Sequence, residues 1–252
     1  MELLGRIFLP ALIAGIVAGL LYTGLQYIEV IPLIHEAENY ESAGGEHAHD
    51  AHGHDHGTHD HGADDAASNG DLGRFAFTLL ANVVAAIGFG LLLSVAFTIL
   101  AARGRTVVWR AGILWGLAGF AIFNLAPALG LPPGLPGSEA EALESRQFWW
   151  VLTVVLTAFG LGLIAFARPA YLRLLGLVPL ALPHIIGAPA PEEYGGLVPE
   201  ETAERYVYAS LITSGLFWLA LGALTAFAHQ RFGGAKRPQF SRPYGTPTES
   251  EK

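Results

Sequence analysis

The sequence predicts an all-α integral membrane protein with six transmembrane helices and a disordered histidine-rich loop on the outer side. Charged residues make up 14% of the 252 residues and apolar residues 52%, whereas about a quarter of a soluble domain is charged. Six long stretches contain no Asp, Glu, Lys or Arg. The net charge of −8 argues against a nucleic-acid-binding protein, and the sequence has no cysteine to form a thiolate metal site.

The six uncharged stretches are predicted to cross the membrane, because a spanning helix needs about 20 mainly apolar residues. The predicted spans cover residues 7–28, 75–102, 111–129, 148–167, 172–187 and 206–229. The fifth is the weakest, because Pro179 and Pro183 interrupt it, and taken alone it also fits a re-entrant segment. All six belong to a single membrane domain over 1–252, which ends in a cytoplasmic tail over 233–252.

The basic residues set the predicted orientation. With the N-terminus inside, the outer segments hold three basic residues, and the inner segments hold the other 11 of the 14, as the positive-inside rule requires. The three outer residues are Arg74, Arg146 and Arg205. Without a fifth crossing, the acidic 192–204 segment would share a side with Arg168 and Arg173, so we predict six crossings with both termini in the cytoplasm.

The acidic residues show the opposite distribution. Glu2, Glu249 and Glu251 are the inner ones, and the other 19 of the 22 lie in predicted outer segments. This excess raises the local concentration of cations at the outer surface. The alternative is that the acids only keep the loops solvated.

Residues 41–71 form a segment rich in His and Asp, with almost no apolar residue to bury, so it is predicted to be disordered. Neutral imidazole suits Co²⁺, Ni²⁺, Zn²⁺ and Cu²⁺, and a flexible chain can wrap several imidazoles around one ion. We therefore predict that this outer loop captures metal. Its seven histidines are His47, His49, His52, His54, His56, His59 and His61.

The spans also suggest three helical hairpins in one orientation. Each outward helix ends near a proline (Pro32, Pro127 or Pro183), and each returning helix follows an outer arginine and aromatic residues. Parallel repeats of this kind occur in transporters. The alternative is that aromatic belts and positive-inside charges make unrelated hairpins look alike.

Polar residues near the prolines predict a second metal site at the outer mouth. If a helix resumes after Pro32, His35 and Glu38 share a face at i and i+3, and a histidine beside carboxylates suits a divalent ion. The predicted metal ligands there are His35, Glu36, Glu38 and His184. Asn82 and Asn124, inside spans, are predicted to continue the transport path, although Asn side chains also join helices.

The sequence has no nucleophile elbow, phosphate-binding loop or zinc-protease motif, so we predict that the protein is not an enzyme and binds no prosthetic group.

Several long segments resemble the CbtA family, a predicted cobalt transporter subunit of bacteria. They are ALIAGIVAGLLYTGLQ, PLIHEAENYE, LLANVVAAIGFGLLL, WRAGILWGLAGFAIFNLAPALGLPPGLPG, RQFWW and ALPHIIGAP. The resemblance implies cobalt uptake linked to cobalamin synthesis in the bacterial inner membrane, and a small single-span partner, CbtB, with its own histidine motif.

The combined prediction is a transporter subunit for uptake of a divalent transition metal, with Co²⁺ as substrate and Ni²⁺ or Zn²⁺ as alternatives. Its predicted partners are the metal ion, the lipid bilayer and a CbtB-like subunit, with a homo-oligomer left open. Two other functions stay open: a metal-sensing or metal-buffering membrane protein without a transport path, and a structural subunit that needs the small partner.

Overall fold

The computed structural model describes residues 2–46, 63–136, 142–189 and 198–232, which are helical or in short connections, with no strand in these ranges. The long helices are α1 (Glu2–Glu29), α2 (Ile31–Glu46), α3 (Ala63–Ala102), α4 (Trp109–Phe120), α6 (Leu143–Phe166) and α9 (Glu200–Phe232). The short helices are α5 (Ala126–Ala128), α7 (Ala170–Leu175) and α8 (Leu177–Ile186).

In the described ranges, five segments are long and apolar enough to cross a membrane: Gly5–Glu29, Leu72–Ala102, Trp109–Ala128, Leu143–Phe166 and Glu200–Phe232. They coincide with five of the six predicted spans to within a few residues. The all-helical prediction is therefore confirmed, together with five membrane-length helices among the described residues.

The remaining predicted span is the short apolar pair α7–α8, over Ala170–Ile186. Pro179 has no N–H to donate to the carbonyl of Leu175, which explains the break between α7 and α8. Gly176 packs against Gly160 of α6, and His184 lies against Trp149 near the start of α6, so α7–α8 run antiparallel to α6. Six crossings and a hairpin repeat stay predictions.

The predicted loop over 41–71 needs a correction at both ends. α2 continues to Glu46, and α3 begins at Ala63, so 41–46 and 63–71 are helical rather than disordered. Once a helix is nucleated, each further residue adds a backbone hydrogen bond at little cost, and a polar composition does not prevent that extension. The seven loop histidines lie outside the described residues, as does the predicted tail over 233–252.

Helix α9 lies at the centre of the helix assembly and packs against α1, α3 and α4. Tyr22 near the end of α1 meets Ser214 of α9, and Glu36 of α2 meets Thr202 near the start of α9. α9 therefore starts at the end of the assembly where α1 finishes, and it runs antiparallel to α1. We call this the α2 end.

Glycines allow the closest helix contacts. Gly112 and Gly116 of α4 lie directly on the backbone of α9 near Gly222. A Cβ on any of these three glycines would overlap the backbone of the other helix. Likewise, a Cβ on Gly15 or Gly19 of α1 would come within 2.6–2.7 Å of the backbone of α3. Small residues at such positions let helices approach in a membrane, where van der Waals packing is a main source of association.

Candidate functional site

A cavity of about 320 Å³ lies between α1, α3, α9 and the turn Ala121–Leu125 that follows α4, with one residue from α6. Its polar lining comes from four different helical segments, and aromatic rings supply most of the remaining wall. The lining residues are Tyr22, Asn82, Ala85, Phe89, Phe123, Asn124, Trp150, Ser214, Phe217 and Trp218. Both asparagines that were predicted to continue a transport path are therefore in one cavity.

Asn82 is held by hydrogen bonds from α3 to α1. Its Nδ2 donates to Thr23 Oγ1 at 3.0 Å and to Gln26 Oε1 at 2.6 Å. Its Oδ1 accepts no hydrogen bond from any described residue. The two bonds thus orient the amide and leave its carbonyl oxygen without a hydrogen-bond donor from the described part of the chain.

Asn124 owes its position to a π-helical turn, Ala121–Leu125. The N–H of Ala126 bonds to the carbonyl of Ala121, five residues back, just before Pro127, whose ring would crowd the carbonyl of Phe123 in a regular α-helix. The wider turn relieves that crowding, and such turns are frequent at functional sites. Trp218 Nε1 donates to Asn124 Oδ1 at 2.7 Å, which fixes this amide against α9.

The other walls are tied together by aromatic contacts. Tyr22 Oη lies 3.2 Å from Ser214 Oγ and joins α1 to α9. The ring of Trp218 is stacked on Phe123 with an interplanar angle of 7°, and Phe89 contacts both at ring centroid distances of 4.7 and 4.9 Å. The cavity is therefore preformed by a rigid aromatic group with hydroxyl and amide groups between the rings.

His35 and Glu38 form the pair expected from their spacing on α2. His35 Nδ1 lies 3.1 Å from Glu38 Oε2, so the predicted shared face is confirmed. Arg74 of α3 donates to both carboxylate oxygens of Glu38, at 3.1 and 3.2 Å. Partial burial raises the pKa of Glu38, but the hydrogen bonds and charges of Arg74 and His35 outweigh it and hold that pKa below its ordinary value. Glu38 is thus an ionised carboxylate at neutral pH, with a cationic neighbour already bound.

Glu36 and His184 have different surroundings. Glu36 Oε1 accepts a hydrogen bond from Thr202 Oγ1 at 3.0 Å, which ties α2 to α9. His184 is exposed on α8, with its ring edge-on to Trp149 at 6.1 Å, and no contact among the described residues joins it to His35, Glu36 or Glu38. Within the described ranges, no three His, Asp or Glu side chains are close enough to hold one metal ion.

The chain matches a known family model over most of its length. The family model of CbtA, described as a probable cobalt transporter subunit, matches residues 4–230. The chain belongs to the CbtA family. No curated protein and no solved structure matches this CbtA chain. The family description names a transporter subunit rather than an enzyme, and the five apolar helices fit a multi-pass membrane protein. The word subunit also implies an assembly with other chains.

The sequence did not reveal three contacts of this CbtA protein. Tyr22 meets Ser214, Trp218 bonds to Asn124, and Arg74 bonds to Glu38. Each makes its contact across a long separation along the chain, 94 residues for Trp218 and Asn124. An aromatic residue in a span carries no sign of such a partner. For Asn124, however, Pro127 three residues later was a usable signal for an irregular turn.

Proposed function

We propose that this CbtA chain takes up a divalent transition metal across the bacterial inner membrane, with Co²⁺ as its substrate. Both termini lie in the cytoplasm and α7–α8 form the sixth crossing, so that the α2 end faces outward. An inside-negative potential drives entry, since a dication gains about 4–5 kcal/mol per 100 mV on moving inward. Family membership supports a cobalt substrate, because the family is described as a probable cobalt transporter subunit.

The observation that carries this proposal is the cavity shared by Asn82 and Asn124. Polar side chains inside membrane spans are costly and commonly line ion or substrate paths. These two residues come from different helical segments, and aromatic and hydroxyl side chains also line the same cavity. Tyr22, which lines it, is seven residues before the end of α1, or about 10 Å along the helix. The cavity therefore lies below the α2 end, where an ion from outside would arrive.

The outer residues act before the cavity in this proposal. The histidines of 47–61 capture Co²⁺, and the 19 acids predicted outside concentrate it. His35 and Glu38 then receive the ion, and an arriving dication competes with Arg74 for the Glu38 carboxylate. His184 remains a predicted ligand at the end of α8, beside Trp149.

A sensor without a transport path, and a structural subunit that needs a CbtB-like chain for the pore, are the competing functions. The cavity favours a path within this chain, because polar side chains from four of its helical segments meet there. Under our proposal, a CbtB-like partner joins the assembly without lining the cavity.

The capture segment separates a transporter from a sensor. We expect replacement of its seven histidines by Gln in the full-length chain to raise the Co²⁺ concentration for half-maximal uptake about tenfold, which corresponds to about 1.4 kcal/mol of lost binding. The maximal rate should stay unchanged, because the cavity is untouched. Initial rates over a range of Co²⁺ concentrations in cells give both values.

A matched control replaces the interleaved aspartates by Asn and keeps the imidazoles; it isolates the contribution of charge. These aspartates are Asp50, Asp55, Asp60, Asp64 and Asp65. If the histidine variant takes up no Co²⁺ even at saturating concentrations, the loop is part of the path itself. The sensor interpretation is correct if two results occur together. Cells with and without the protein take up Co²⁺ equally, and cells with the histidine variant lose their response to the metal.

A further inference from the structure

The lining of the cavity lacks the side chains that bind transition metals directly. None of its ten described lining residues is His, Cys, Asp or Glu. The oxygen donors are the amide oxygens of Asn82 and Asn124 and the hydroxyls of Tyr22 and Ser214. One of these, Asn124 Oδ1, already accepts the indole N–H of Trp218. Such a set of neutral oxygens is far from the imidazole and carboxylate sets on which transition-metal sites are built.

This donor set is too weak to replace the water around a dication. Moving an unpaired ion from water into a low-dielectric site costs tens of kcal/mol by Born solvation, and the cavity has no opposite charge to offset that cost. A hydrated ion lowers this penalty, because its own waters stay bound and can donate to Asn82 Oδ1 and the hydroxyl oxygens. The rings of Phe89, Phe123 and Trp218 also line the cavity.

The volume agrees with a hydrated ion. Water occupies about 30 Å³ per molecule in the liquid, so six coordinated waters need about 180 Å³. The cavity of about 320 Å³ is large enough for that shell. A dehydrated ion would leave most of this volume to be filled by solvent without any ligand to fix the ion.

We propose that the cavity binds its metal as the hexahydrated dication, through the coordinated waters rather than through the metal itself. This inference rests on the proposed transport function and adds the form of the substrate. It also assigns the choice among Co²⁺, Ni²⁺ and Zn²⁺ to groups outside the cavity. Hydrated ions of equal charge and similar size are nearly alike to amide and hydroxyl groups, whereas imidazole distinguishes these metals by affinity.

The test uses hexaamminecobalt(III), an octahedral cation that keeps its six ammonia ligands and so imitates a hydrated ion. The complex is added outside proteoliposomes that contain the full-length chain, at about ten times its Kd for the cavity. At that concentration about a tenth of the cavities stay free, so the initial rate of Co²⁺ uptake should fall about tenfold. Spermidine, a flexible trivalent cation, is the control for simple screening of the acidic outer segments.

A second measurement does not depend on transport. Trp150 and Trp218 line the cavity, so hexaamminecobalt(III) should quench the indole fluorescence of the purified full-length chain saturably. The saturable part should vanish when Asn82 and Asn124 are both replaced by Leu.

Inhibition of uptake together with saturable quenching supports the inference. Saturable quenching without any uptake also supports the inference, but it refutes the proposed transport. Uptake that neither responds to the complex nor is accompanied by saturable quenching overturns the inference and leaves the transport function intact. Absence of both uptake and saturable quenching overturns both proposals.

Discussion

Replacement of Asn82 by Leu is expected to lower the maximal rate of Co²⁺ uptake about tenfold or more, equivalent to at least about 1.4 kcal/mol in the barrier. Leucine has the same branched shape and the same number of heavy atoms, but it lacks Oδ1, which accepts no hydrogen bond from any described residue. An apolar side chain there offers the hydrated ion no hydrogen-bond acceptor. Initial rates in proteoliposomes, normalised to the amount of inserted protein, give the effect.

Thr23→Val is the matched control for this variant. Thr23 Oγ1 accepts one of the two hydrogen bonds from Asn82 Nδ2, yet Thr23 does not line the cavity. Valine is close in shape and removes this one of the two α1–α3 hydrogen bonds without changing the cavity wall. We expect uptake within about twofold of the unmodified chain, since one such interhelical bond contributes about 0.6 kcal/mol in a membrane. Equal losses in both variants would show that Asn82 acts only by joining the helices.

Replacement of Gly116 by Val is expected to have the largest effect on stability. A Cβ at this position would overlap the backbone carbonyl of Trp218, and Gly222 lies against the same turn of α4. The two helices must move apart, and overpacking of this kind costs typically about 1–3 kcal/mol. Because Trp218 also holds Asn124, the cavity should be distorted as well. Thermal unfolding in detergent should show a lower midpoint, and size-exclusion chromatography less monodisperse protein.

Gly88→Val makes the same chemical change at a site where it should be harmless. Gly88 is exposed on α3, and a Cβ there meets nothing within 4 Å. The midpoint for Gly88→Val should stay close to that of the unmodified chain. If Gly88→Val and Gly116→Val lowered the midpoint equally, the effect would come from the loss of a helical glycine and not from the α4–α9 contact.

The membrane-length helices were predictable because they depend on composition along one stretch of chain. An uncharged run such as 75–102 has no other way to satisfy its backbone groups in lipid than a helix. The ends were less predictable. α2 continues to Glu46 through a polar sequence that predicted a loop. The continuation of a helix depends on the helical turn before it more than on hydropathy.

The candidate site was predictable only in its local parts. His35 and Glu38 are three residues apart, so helical geometry alone gave their contact. Asn82 and Asn124 were recognised as unusual in spans, but their common cavity depends on the packing of α1, α3, α4 and α9. Arg74 on Glu38 joins residues 36 positions apart, and a single sequence contains no signal for that pairing.

The outer residues and the cavity have complementary chemistry in this account. Imidazole and carboxylate groups occur at and beyond the α2 end, whereas the cavity offers amides, hydroxyls and aromatic rings. Strong ligands near the cavity would hold a metal too tightly to release it. Under the proposed function, the ligands at the α2 end select the metal, and the weaker binding in the cavity lets the ion move on.

Uptake of Co²⁺ into proteoliposomes that contain this chain alone, with an inside-negative potential, tests the central claim most directly. Ni²⁺ and Zn²⁺ are measured in parallel, and protein-free liposomes give the leak. We predict saturable Co²⁺ uptake that grows with the potential, because polar side chains from several helices of this chain meet at the cavity and the dication is drawn inward. No uptake of any of the three metals by correctly inserted protein would contradict the claim that this chain contains its own path.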